Sequence, residues 1–203
     1  MTQLQARPAS PAAPDSGRAV VDLLRVLHTH DPYTAGHSVR ASGYAAAIAR
    51  ALGCDARLVS RVRKAGLVHD IGKIGVPRTV LGKPVDLDAR EHHLMRLHPV
   101  LGASILSRIP GLEEFVPIVL DHHERWDGGG YPRGVAGEDI TLEARILFVA
   151  DSFDAMTTRR PYGGVLSKGD AAAEISRCAG LQFDPRVVAA AVGVLAPDAS
   201  RGA

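Results

Sequence analysis

The sequence predicts an all-α domain, a helical bundle of about seven to nine helices. Three observations carry that expectation. Apolar residues return at three- and four-residue spacing through most of the chain. No stretch of useful length alternates apolar and polar residues as a half-buried strand would. The glycine- and proline-rich stretches fall between the periodic segments rather than inside them.

In chain order, residues 1 to 17 are rich in Ala, Pro and Ser and aperiodic, which reads as a flexible tail ahead of a folded domain over 18–198. VVDLLRVL (20–27) has helical apolar spacing. The alanine-rich run from His37 to Leu52 is a second helix, with Gly53 placed to stop it in a left-handed cap. A third spans 56–70, with Leu58, Val62, Ala65 and Val68 or His69 on one side. IGKIGVPRTVLGKPVD holds three glycines and two prolines and reads as a loop. Asp88 with Glu91 fits a capping box, and Pro99 suits the first turn of a helix that the Pro110–Gly111 pair ends. A short helix is expected from Pro117 to His123. WDGGGYPRGVAGEDI then reads as a functional loop, and LEARILFVADSFDAMT (142–157) as the most apolar, central helix. Asp170 and Asp184 are placed to cap the last two helices, with Pro185 at a first helical position.

Composition narrows the function. The 24 basic and 22 acidic residues nearly cancel, and aromatics are 4%, which argues against wrapping or stacking a polynucleotide. No stretch approaches the roughly 18 apolar residues of a membrane span. The first residues lack an export or lipidation pattern, and the two cysteines form neither a metal spacing nor a disulfide framework. A cytoplasmic setting is expected. Nine histidines in 203 residues are the informative statistic, because imidazole is both a metal ligand and an acid–base group near neutrality.

Several of those histidines stand beside carboxylates or glycine-rich turns. His69 and Asp70 adjoin at a helix end, where an imidazole and a carboxylate can address neighbouring cations; a histidine favoured by the helix dipole is the plain alternative. His122 and His123 emerge from an apolar segment straight into a triple-glycine loop, a poor place for two solvated residues. His92 and His93, within polar DAREHHLMR, read instead as an exposed face. Asp151 lies inside ILFVADSFDAM, where an unpaired carboxylate would cost several kcal/mol; a cation resolves that cost, as an arginine would. Asp154, one turn on, is a candidate partner. His37 and His98 each lie near a helix start. Lys73, just past the His69–Asp70 pair, can reach a phosphate oxygen as a flexible point charge, or be a solvated surface lysine.

Taken together, YTAGHS (33–38), HDIGKIGVP (69–77), HPVLGASIL (98–106), HHERWDGGGYPRG (122–134), ADSFDAMTTRRPY (150–162) and GLQFDP (180–185) resemble the ordered motifs of the HD-GYP family, a branch of the HD superfamily of metal-dependent phosphohydrolases. The resemblance covers roughly residues 20 to 195. It implies an HD-domain-like bundle and a metal set of His37, His69, Asp70, His98, His122, His123 and Asp151. It implies two divalent cations, iron or manganese, with Asp70 bridging; His37, His69 and Asp151 complete one, and His98, His122 and His123 serve the other. A third cation would require a glutamate where this chain has Tyr33. The implied reaction is hydrolysis of cyclic di-GMP to pGpG and onward to GMP, some members preferring mixed cyclic GMP-AMP, by a water that both cations activate.

Within that reading Lys73 neutralises charge growing on the phosphate. Tyr131, Pro132 and Arg133 serve loop geometry or partner contact, and Arg160, Pro161 and Tyr162 contact the nucleotide or cap the preceding helix. No sensor or receiver segment reads ahead of Gly17, so the expected input is a separate signalling protein, a partner subunit or substrate supply, unless the chain is a fragment of something longer; a homodimer is open. The competing expectations are a weakly catalytic regulatory module, an HD phosphohydrolase for another nucleotide, and a metal-free helical interaction protein.

Overall fold

A computed structural model describes residues 16–83, 85–158 and 164–196. Among them the chain forms ten helices: α1 (Ser16–His30), α2 (Pro32–Ala51), α3 (Ala56–Val68), the single turn α4 (Arg78–Leu81), α5 (Ala89–Met95), α6 (His98–Leu106), α7 (Val116–Asp121), α8 (Leu142–Thr157), α9 (Lys168–Arg177) and α10 (Pro185–Leu195). The only strand-like pairing among the described residues is an isolated bridge between Ala179 and Phe183. The all-α expectation holds, with α4 as the turn that takes the count past nine. Residues 1–15 of the expected tail lie outside the described residues, and Ser16 and Gly17 open α1.

The helix boundaries follow local chemistry. Asp31 caps α2, accepting from Tyr33 N, with Pro32 in the first turn. Gly53 takes the left-handed φ of 75° that ends the helix, as expected. Asp55 caps α3 through Leu58 N, and the Asp88–Glu91 capping box opens α5. The segment expected as plain loop after Asp70 is more ordered: Ile71–Gly75 form a 3-10 turn, and α4 follows Pro77. α9 carries a correction. Ser167 is its cap, accepting from Asp170 N, so Asp170 sits one turn inside. Asp184 caps α10 as read.

α8 is the centre. Ile146, Leu147, Val149, Ala150 and Phe153 are fully buried, packed among α2, α3, α7, α9 and α10. α2 meets α3 and α8 through small residues, Ala41, Ala45, Ala46 and Ala49, which let backbones approach closely. Phe153 closes this layer edge-on to Tyr44, with ring centroids 5.1 Å apart. Arg145 of α8 forms a 2.6 Å ion pair with buried Asp184, tying the centre to α10. The 3-10 turn rests on α6 at Gly72, where a Cβ would lie 1.9 Å from the His98 carbonyl oxygen. That close approach, open only to glycine, brings the end of α3 and the start of α6 to one place.

Candidate metal centre

All seven side chains expected as ligands converge there. His37 comes from the second turn of α2, His69 and Asp70 from the end of α3, and His98 from the first residue of α6. His122 and His123 follow α7, and Asp151 comes from the middle of α8. Ligand atoms of His37, His69 and Asp70 all lie within 4.8 Å of one another, as do those of His98, His122 and His123. Asp70 stands between the groups: Oδ2 is 3.5 Å from His69 Nε2, and Oδ1 is 3.3 Å from His98 Nε2. Asp151 Oδ1 is 2.7 Å from His37 Nε2 and 3.7 Å from His69 Nε2, on the first group's side. His92 and His93 are exposed on α5.

The imidazole orientations fit cations. Nδ1 of His69, His98 and His122 donates to the carbonyl three residues earlier, of Gly66, Met95 and Val119, at 2.8, 2.7 and 2.7 Å. A carbonyl only accepts, so Nδ1 carries the hydrogen and each Nε2 presents a lone pair to the site. His69 Nε2 is buried without a hydrogen-bond partner. Nε2 of His98 and Nε2 of His122 face each other at 3.2 Å. Two lone pairs at that distance repel unless a cation or a proton draws on them. His37 is held differently: Nδ1 bonds Asp154 at 2.6 Å, and Arg40 donates to both Asp154 oxygens, at 2.7 and 3.0 Å.

Electrostatics set the same protonation states that ligands need. Burial lowers His98 to about 3 and His123 to about 4, and pushes His122 down as well. These three are neutral at pH 7. Burial would raise Asp70, but the Lys73 ammonium beside it outweighs that and holds the carboxyl well below its usual range. Asp151 is also lowered: burial would raise it, but its bond to His37 outweighs that. His37 is the exception. Burial opposes its charge, yet the bonds to Asp151 and Asp154 raise it to about 9. Its Nε2 must therefore release a proton to become a ligand.

The HD domain family model matches residues 23–187. The chain belongs to the HD domain family. A cyclic di-GMP phosphodiesterase of Thermotoga maritima is 40% identical over 174 residues, 84% of this chain and 47% of that protein. The 3′3′-cGAMP-specific phosphodiesterase 3 of Vibrio cholerae is 37% identical over 166 residues, 82% of this chain and 36% of that protein. The HD domain thus spans less than half the length of either. Among solved structures, Bd1817, a HDG"Y"P protein from Bdellovibrio bacteriovorus, superposes with a TM-score of 0.66 at 19% identity, over 89% of this chain and 61% of that one. The branch is HD-GYP-like.

Several residues that shape this HD domain's site were not singled out by their sequence context. Buried Asp121 holds Arg133 through two bonds, of 2.9 and 2.6 Å. Buried Glu124 accepts from the backbone N–H of Arg133 and Gly134 at 2.6 and 3.0 Å. Together they fold the glycine loop back over the histidine pair, so that Tyr131 stacks on His123, with centroids 4.9 Å apart. Gly130 permits the fold, since a Cβ there would lie 2.3 Å from Arg125 N. The GLQFDP segment backs the loop from outside, Gln182 and Leu181 carbonyls accepting from Trp126 and Asp127 N–H. Arg40 carried a legible signal, three residues after His37 and so on the same helix face. Arg160, Pro161 and Tyr162 lie outside the described residues.

Proposed function

We propose that this HD domain is a metal-dependent phosphodiesterase that hydrolyses cyclic di-GMP to pGpG and onward to GMP. The observation that carries the reading is the placement of Asp70, whose two oxygens address two separate groups of imidazoles at the floor of a cavity of about 860 Å³. His37, His69 and Asp151 would hold one divalent cation and His98, His122 and His123 the other, with Asp70 shared. Mixed nitrogen and oxygen ligation suits iron, manganese, cobalt and zinc alike, and the family resemblance favours iron or manganese among them. Bound there, the pair would supply an activated water and draw on the phosphate oxygens.

The chain's own residues do the rest. Asp154 and Arg40 fix the His37 ring, and the Gly66, Met95 and Val119 carbonyls fix the rings of His69, His98 and His122, so these four imidazoles are oriented in advance. Lys73 lines the cavity beside Asp70 and meets the charge that grows on the phosphate. The stacked pair of His123 and Tyr131 walls the cavity. The substrate reading draws on the Thermotoga relative; mixed cyclic GMP-AMP is the second candidate, on the Vibrio relative's name. No helix of the described residues is long and apolar enough to cross a membrane, and a cytoplasmic setting is proposed.

The test is purification without oxygen, metal quantification, and chromatography of both cyclic dinucleotides. The expected result is release of pGpG, abolished in His69→Ala and Asp70→Ala proteins whose circular dichroism is unchanged. Bound metal with no turnover of any cyclic dinucleotide would overturn the reading.

A further inference from the structure

The metal-ligand candidates take up only the floor of their cavity. Its volume of about 860 Å³ is on the scale of a site for a whole drug-sized ligand, well beyond one phosphodiester group. The outer part has a distinct chemistry. Tyr33, at the start of α2, lines it and is 41% exposed. Val80, Leu81, Val85 and Leu87 supply aliphatic wall, Val85 being 63% exposed. An exposed aromatic ring and an exposed Val85, backed by half-buried Leu81 and Leu87 and buried Val80 around one cavity, suit a flat, apolar-faced group. Asp86 lines the same space, and its carboxylate has no hydrogen-bond or ion-pair partner among the described residues.

We infer that this outer part is a guanine-binding subsite, in which Tyr33 stacks on the base and Asp86 accepts hydrogen bonds from its N1–H and exocyclic N2–H. The inference rests on the proposed function and names how that substrate is recognised. An ionised carboxylate is an acceptor at both oxygens. Guanine offers two adjacent donors on its Watson–Crick edge, whereas adenine presents an acceptor at N1, which a carboxylate repels. Arg78, whose guanidinium makes one bond, of 3.3 Å to the Thr29 carbonyl, keeps donors for the ring's second phosphate.

Steady-state kinetics of the metal-loaded protein test this, with cyclic di-GMP, cyclic di-AMP and bis(p-nitrophenyl) phosphate as substrates. Tyr33→Ala is expected to raise KM for cyclic di-GMP about tenfold, the scale of one lost base stack, and to lose about tenfold more kcat/KM on it than on the base-free diester. Tyr33→Trp should restore KM. Asp86→Ala should cut the preference for cyclic di-GMP over cyclic di-AMP about tenfold or more. A Tyr33→Ala KM within twofold of the parent, or equal losses on both diesters, overturns the inference. If the parent protein cleaves only the base-free diester, the proposed function falls, and calorimetric binding of GMP decides the subsite separately. GMP binding that Tyr33→Ala weakens about tenfold keeps it, and no binding, or binding that the substitution leaves alone, ends it.

Discussion

Lys73 Nζ lies 2.6 Å from Asp70 Oδ2, and its side chain is partly open to the cavity. A solvated lysine would leave the Asp70 carboxylate to the imidazoles alone; here the ammonium is held against Asp70 at the wall of the cavity. Because it is a charge on a flexible stem and not a ligand atom, its removal separates turnover from metal retention. Lys73→Ala is expected to lower kcat about 100-fold, the scale of losing one preorganised donor to a developing anion, with metal content per chain unchanged. Elemental analysis beside the kinetics checks this, and metal loss in the variant would contradict the role. His37 shows the opposite design. Its proton, held by two carboxylates up to about pH 9, marks a position whose ligand form depends on displacement of that proton, while Asp154 keeps the ring in place.

The loop after α7 is where local sequence was hardest to convert into geometry. Its glycines announced a loop and its two histidines announced a site, but nothing local said which groups would hold the loop down. Asp121 and Glu124 flank the histidine pair, and nothing in their local sequence marked either one. In the fold both are buried, and their partners come from nine to twelve residues further on. The pairing of Asp121 with Arg133 therefore carries a measurable share of stability. Breaking a buried pair by removing one member costs about 3–5 kcal/mol. Arg133 is 44% exposed on its side chain, and water will screen the stranded carboxylate, so about 2 kcal/mol is the better expectation. Arg133→Ala should then lower the thermal midpoint by about 4–8 °C for a chain of this size. A midpoint within about 1 °C of the parent would show that the clamp contributes nothing. Arg133→Lys should recover only part, since an ammonium cannot reproduce the two-point fork.

For the molecule as a whole, the sequence's periodicity shows which face of each helix is covered, and leaves open which helix covers it. That is why the central place of LEARILFVADSFDAM was legible while the pairing of His37 with Asp154, 117 positions away, required the fold. It is also why seven ligand candidates could be named singly, and their division into two groups around Asp70 was an expectation of the resemblance rather than of spacing. The same convergence has a thermodynamic consequence. Five helices deliver imidazoles and carboxylates to one buried point, where His98 and His122 turn lone pairs on each other and His69 Nε2 has no partner. Without cations that arrangement opposes folding through repulsion and desolvation. With them it joins α2, α3, α6, α7 and α8. Ligands that bind only the folded state at about 100 times their dissociation constant add about 2.7 kcal/mol each. Removing two from a chain of this size should lower the thermal midpoint by about 10–20 °C. Differential scanning calorimetry before and after chelation, with iron or manganese returned in a third scan, measures the effect. A midpoint unmoved by chelator would mean that the imidazoles are satisfied without metal, and recovery on adding the cation back would exclude irreversible damage as the cause of the drop.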